Sequence, residues 1–287
     1  MMKKNVYIIN IIIIAISFCS VSCSDNFTHS DFKAGRVVVD GSIEAGSFAK
    51  VVLTYSLPLD AKIDSSVYYD LVNTRAKVTI FDGEQSEVLV LIKRKNFFPP
   101  HYYTTRTIKG VPGKTYWLEV IYYDDTIRAQ TTIPNNVELS KIWSEPHVND
   151  TTKRYLWIQM CDDVQRKDYY RIFTQIKGKQ KDFVPTYQSA FSDEYFNGTC
   201  PKIMLYKGLE NFFDKKREDT FSVGDTVFVK ISSIDKQSYL FWSNYEKEVF
   251  NSGNPFAANG SNLTSNVDSG IGIWCGYASK VYSIIIK

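Results

Sequence analysis

The chain has 287 residues, with 34 Lys+Arg against 31 Asp+Glu and aromatic residues at 15%. Lys3 and Lys4 belong to an export segment, and without them the balance is 32 to 31, which excludes nucleic acid or an anionic membrane surface as an electrostatically selected partner. The chain beyond residue 22 is long enough for two domains of ordinary size.

The first element is that export segment. Lys3 and Lys4 form a positive start, 6–18 is almost wholly apolar, and Ser20-Val21-Ser22 places small residues directly before Cys23. A secretory apolar stretch needs about 7–15 residues and a spanning helix about 20, so this run is too short to span. The segment 1–22 therefore reads as a lipoprotein signal peptide, with Cys23 as the lipid-attachment residue and 23–34 as a tether. Ser20 stands where such a signal usually has a large aliphatic residue. The alternatives are an ordinary secretory signal, which would leave Cys23 as a thiol, and an uncleaved anchor. Lipidation would fix the chain to a membrane, because each buried methylene contributes about 0.8 kcal/mol.

From 35 to 134 the pattern is short strands separated by turns. Segments 36–43, 48–55, 76–81, 88–93, 102–105, 116–122 and 127–133 read as extended, punctuated by Asp40-Gly41, Asp82-Gly83 and Pro112-Gly113. In Ala76-Lys77-Val78-Thr79-Ile80 the alternation puts Ala76, Val78 and Ile80 on the core face. About seven strands in roughly a hundred residues predict an immunoglobulin-like β-sandwich. The stretch 56–73 breaks the rhythm as a long loop.

Pro134-Asn135-Asn136 ends this unit. A second β-rich domain is predicted over 135–287, with 137–143 crossing into it and strands at 155–160, 169–177, 202–207, 226–232 and 280–286. Segments 182–197 and 209–220 lack periodicity and read as loops. One helix is predicted at 236–250, capped by Asp235, with Tyr239, Trp242, Tyr245 or Glu246, and Val249 on one face and Gly253 as its C-terminal cap. It is expected to cover an edge or end of the second sheet. The fold class is thus mainly β, two β domains with one helix.

Signatures of chemistry are sparse. The three histidines, His29, His101 and His147, form no metal-binding helix pair, and no nucleophile elbow, phosphate loop or dinucleotide fingerprint occurs. Asp124-Asp125 and Asp162-Asp163 read as turns; neighbours in a strand face opposite sides and do not make a paired-carboxylate site alone. No enzyme activity, metal or other cofactor is expected. Of five cysteines, Cys19 leaves with the signal and Cys23 is the anchor; Cys161, Cys200 and Cys275 allow three disulfide pairings or none.

Doubled aromatics stand out: Tyr68-Tyr69, Phe97-Phe98, Tyr102-Tyr103, Tyr122-Tyr123, Tyr169-Tyr170 and Phe212-Phe213. Where such a pair lies in a strand, one ring faces outward, and amphipathic rings on a surface mark sugar, peptide or protein contacts. The candidate contact residues are Phe97, Phe98, His101, Tyr102, Tyr103, Tyr68 and Tyr69. The run Phe97-Phe98-Pro99-Pro100-His101-Tyr102-Tyr103 either packs at a domain junction or presents a rigid binding edge.

These motifs, in order, resemble a family of Bacteroidota envelope lipoproteins, the domain of unknown function 4249. The carriers are the lipoprotein signal, Val37-Val38-Val39-Asp40-Gly41, Ala76 through Gly83, Gly110-Val111-Pro112-Gly113-Lys114-Thr115-Tyr116-Trp117-Leu118, Asp168-Tyr169-Tyr170-Arg171, Val223-Gly224-Asp225, and a tail from Asn254-Pro255-Phe256 to Gly270-Ile271-Gly272-Ile273-Trp274. The long insert at 56–73 and Cys275 have no place in that pattern. The resemblance implies an outer-membrane location, lipidation at Cys23 and association with a TonB-dependent receptor; it carries over no catalytic residue. The leading expectation is a non-enzymatic accessory lipoprotein of a TonB-dependent nutrient uptake system, capturing a glycan or peptide. The alternative is a structural adhesin or pilus-associated lipoprotein, which needs a detachable terminal strand such as 280–287.

Overall fold

In the computed structural model, the described residues are 35–56, 71–95, 99–161, 163–196, 198–208, 218–251 and 263–287. The signal peptide, Cys23 and the tether, Tyr68 and Tyr69 in the long insert, Phe97 and Phe98, Phe212 and Phe213, and Gly253 lie outside them. The described elements are almost all strands. In chain order these are β1 (Val37–Glu44), β2 (Phe48–Tyr55), β3 (Lys77–Phe81), β4 (Ser86–Val88), β5 (Val90–Lys93), β6 (His101–Lys109), β7 (Thr115–Tyr122) and β8 (Asp125–Thr132). Then come β9 (Leu139–Pro146), β10 (Lys153–Met160), β11 (Tyr169–Ile176), β12 (Val184–Ser192), β13 (Lys202–Leu205), β14 (Thr220–Ser222) and β15 (Thr226–Ile234). The helix α1 (Lys236–Asn251) precedes β16 (Val267–Asp268) and the long β17 (Ile271–Ile285).

Period-two alternation builds both cores. One sheet runs β12-β11-β15-β17-β1-β2-β6-β5, a second β16-β8-β7-β3-β4, and a third joins β9, β10, β13 and β14. Val37, Val39 and Ile43 of β1, Val51 and Leu53 of β2, and Tyr103 of β6 meet Val78, Ile80, Tyr116, Leu118 and Val120 of the second sheet. This is the predicted N-terminal sandwich. A further core joins Tyr170, Ile172 and Ile176 of β11 and Val227, Val229 and Ile231 of β15 to Leu156, Ile158 and Met160 of β10. Among the described residues the fold is therefore mainly β, two sandwiches with one α-helix.

Residues from beyond 135 enter the N-terminal core, which takes in Val267, Trp274 and Ala278. Strand β17 pairs in parallel with β1 from Val38↔Ile271 to Glu44↔Tyr277, then antiparallel with β15 from Ser233↔Ala278 to Thr226↔Ile285. Its even-numbered residues Trp274 and Ala278 fill the N-terminal core, while Ile273, Cys275 and Tyr277 face the opposite side beneath α1. Trp274 is fully buried, and its indole Nε1 donates to the Tyr116 carbonyl at 3.0 Å. A β-carbon on Gly41 would sit 2.8 Å from that ring, so the glycine makes room for the tryptophan. Gly272, at φ +125°, approaches the Val39 carbonyl more closely than any side chain permits. By contacts, Arg36–Lys287 is one compact unit.

The Asp235 cap of α1 is present: its Oδ1 accepts from Ser238 N–H at 2.7 Å, satisfying a free donor of the first turn. Its Oδ2 accepts from Thr131 Oγ1 at 2.6 Å, and that hydroxyl in turn accepts from Gly276 N–H at 2.8 Å. The cap thus ties α1 to β8 and β17. The helix lies over one face at the β12 end of the eight-stranded sheet, where Phe241 is buried with Ile234, Ile273, Cys275 and Tyr277. The 182–197 segment, read as a loop, instead contains β12, paired with β11. Asp124 and Asp125 lie at the β7–β8 hairpin, as the sequence predicts. Cys161 and Cys200 form a disulfide, and Cys275 is a buried free thiol.

Candidate binding face

Both partner sheets lie on one side of the eight-stranded sheet. Its other side carries α1 over β12, β11 and β17, while β2, β6 and β5 form the far end. Three groups of side chains occupy this outer face.

Beneath α1 lies Arg171 of β11, 5% exposed. Its guanidinium stacks 3.5 Å from the centre of the Trp242 ring and 4.9 Å from that of Phe173. Nε donates to Ser189 Oγ at 3.2 Å and Nη1 to Tyr277 Oη at 2.9 Å. Ser189 Oγ donates in turn to Glu246 of α1. Burial raises the Glu246 carboxyl above its usual range, against the hydrogen bond from Ser189 and the charge of Arg171. A buried charge needs such partners to be tolerable, and this network locks α1 to the sheet.

In the middle, β1 presents Asp40 and Glu44. Asp40 is exposed to solvent. Glu44 Oε2 lies 3.6 Å from Lys230 Nζ, whose ammonium also sits 4.7 Å from the Phe173 ring centre. Burial lowers the Lys230 pKa, with Glu44 opposing and Arg171 and Lys50 adding to the fall.

At the far end is an open pocket of about 580 Å³ lined by Phe48, Lys50, Ile92, Tyr102, Thr104, Arg106 and Lys109, among others. The β2–β6 register explains it. Lys50 faces Thr104 and Val51 faces Tyr103, but Phe48 faces Lys109, so β6 carries extra residues over this span. Such a bulge re-aims side chains. Glu87 holds it open: its carboxylate accepts from the backbone N–H groups of Arg106 at 2.5 Å, Thr107 at 3.1 Å and Ile108 at 2.7 Å. Thr104 Oγ1 donates to Ala49 O at 2.7 Å, and Ala49 N–H donates to Thr105 Oγ1 at 3.0 Å, mending the ladder where the register shifts. Lys109 Nζ lies 4.9 Å from the Phe48 ring centre.

Of the residues the sequence singles out, Tyr102 lines this pocket, and His101 is half-buried at the start of β6. Tyr103 turns the other way. It is 4% exposed in the N-terminal core, and its Oη accepts from Ala76 N–H at 3.1 Å, so it offers no surface ring. Strand alternation makes Tyr102 and Tyr103 opposite in role. Tyr169 and Tyr170 are likewise both used internally, the first stacked on Tyr239 of α1 at 5.0 Å and the second in the C-terminal core. Phe48, Lys50, Arg106 and Lys109 carry no signal in the sequence that marks them as site residues. A second aromatic surface, equally unmarked, lies on the outer side of the third sheet, where Trp143 and Trp157 stack at 6.4 Å and Lys141 Nζ lies 5.0 Å from the Trp143 ring centre.

Among the described residues, no group of three or more His, Cys, Asp or Glu side chains is arranged to hold a metal ion, and no helix is long and apolar enough to cross a membrane. No curated protein matches the chain. The model of the family described as Domain of unknown function (DUF4249) matches residues 25–283, a span that holds both sandwiches, α1 and nearly all of β17, and the chain belongs to that family.

Proposed function

We propose that this protein is a non-enzymatic binding module, held at the cell outer membrane by lipid on Cys23, that captures a ligand as an accessory subunit of a TonB-dependent uptake system. The observation that carries the capture role is the open pocket at the β2–β6 bulge, which gathers aromatic rings and cations on one exposed face. Its lining combines rings, hydroxyls and cations, groups suited to holding a ligand. The export segment ending at Cys23 supports the location, and the family resemblance supports the partner. An adhesin would need a terminal strand free to leave. Here β17 pairs with both β1 and β15, and Ile286 beyond it is 1% exposed, which favours a strand committed to its own sheet.

The test is purification of the tagged full chain from detergent-solubilised native membranes, followed by mass spectrometry of what accompanies it. Recovery of a TonB-dependent barrel is the expected result. Recovery of the chain from a soluble fraction, or from membranes with neither receptor nor ligand, would overturn the reading.

A further inference from the structure

The pocket at the β2–β6 bulge brings together three cations of different origin. Lys50 comes from β2, Arg106 from within the β6 bulge that Glu87 stabilises, and Lys109 from its far end. No carboxylate lines the pocket. Among the described residues, ion pairs engage Lys114, Arg128, Arg166, Lys179, Lys207, Lys230 and Lys280, but none of these three. In a chain whose mature charge is almost balanced, three cations without an ion-pair partner lining one pocket are not a consequence of composition. Like charges held close repel one another, and an anionic ligand relieves that repulsion. The remaining lining offers the rings of Phe48 and Tyr102 and the hydroxyl of the exposed Ser47. Ring faces pack against the C–H faces of a sugar while hydroxyls and cations take its polar edge. An acidic peptide would instead seek apolar sockets, and the lining contains one aliphatic side chain of any length, Ile92.

We infer that this pocket binds an acidic saccharide, with Lys50, Arg106 and Lys109 holding its anionic groups and Tyr102 stacking on a sugar ring. The inference rests on the capture role proposed above and adds the ligand class. The experiment is calorimetric titration of the detergent-solubilised full chain with trigalacturonate, maltotriose, tetraglutamate and inorganic phosphate. Trigalacturonate should bind at least tenfold more tightly than each of the others, and its affinity should fall as salt is raised. The K50Q/R106Q/K109Q variant should lose at least tenfold for trigalacturonate. Tyr102→Ala should weaken it at unchanged salt dependence. These side chains lie at the surface, and an unaltered melting temperature would show that folding is preserved. Absence of trigalacturonate binding, equal binding of maltotriose or phosphate, tighter binding of tetraglutamate, or an unaffected triple variant would overturn the inference. A native chain that still copurifies with a receptor while failing these titrations would refute the ligand class and leave the capture role standing. Loss of the receptor with intact trigalacturonate binding would do the reverse.

Discussion

Replacing Trp274 by alanine should destabilise the whole unit, although the residue lies in the last strand and the core it fills belongs to the first half of the chain. Its side chain is fully buried among residues of β1, β7 and β8. Truncating a buried aromatic costs about 3–5 kcal/mol through lost burial and the cavity left behind. Loss of the indole N–H bond to Tyr116 O at 3.0 Å adds about 1 kcal/mol. A total of about 4–6 kcal/mol is about a quarter or more of a typical domain stability of about 5–15 kcal/mol. Urea denaturation followed by both far-ultraviolet circular dichroism and tryptophan fluorescence measures it. The two probes should report one transition with a lowered midpoint, because β17 belongs to both sandwiches. A loss below about 2 kcal/mol, or an N-terminal transition separating from an unchanged C-terminal one, would refute the shared-strand reasoning.

Glu87→Ala leaves three consecutive N–H groups of the β6 bulge without their carboxylate and should cost about 1–2 kcal/mol, since water replaces part of what is lost; a chemical melt checks this, and no change would mean the bulge holds itself. For Asp82, burial pushes the carboxyl upward, but the N–H groups of Gln85 and Glu84 and the Lys114 ammonium outweigh it and hold the pKa at about 2. Against an unfolded value of about 3.9, its contribution to stability is complete above about pH 4 and is lost as pH falls toward 2. Asp82→Asn should therefore flatten the stability profile in that window, and an unchanged acid limb would contradict the assignment. Burial drives the Cys275 thiol up to about 12, so a thiol reagent such as DTNB should leave Cys275 unlabelled in the folded chain and label it only after unfolding. Rapid labelling of Cys275 in the native state would show that α1 does not seal it.

Local alternation makes much of the fold legible. In β2, β3 and β7 every second residue is apolar and buried, and α1 announces itself by its Asp235 cap and aromatic stripe. The start of β17 is hidden because Gly272 through Ala278 is buried on both faces, leaving no alternation, and because Gly272 and Gly276 read as breakers. Strand β12 escapes the pattern because Pro185 lies within it, Gln188 adopts φ 50°, and the ladder slips between Arg171 and Phe173. The same physics limits the site. Tyr102 is recoverable from the rule that adjacent strand residues face apart, and that rule also removes Tyr103. The cations cannot be found this way, since Lys50 meets Arg106 and Lys109 only through the β2–β6 register, and that register is altered by a bulge dependent on Glu87 from another strand. Cys161 and Cys200 likewise come together only once β10 and β13 pair.

The central claim is that this face, on a chain held at the outer membrane, serves a transporter. It is tested most directly by quantitative mass spectrometry of affinity-purified full chain against the K50Q/R106Q/K109Q variant, both from native detergent-solubilised membranes. The account predicts a TonB-dependent receptor with both proteins and an acidic saccharide only with the native one. The native chain emerging without a receptor, or carrying the same bound material as the variant, would contradict it.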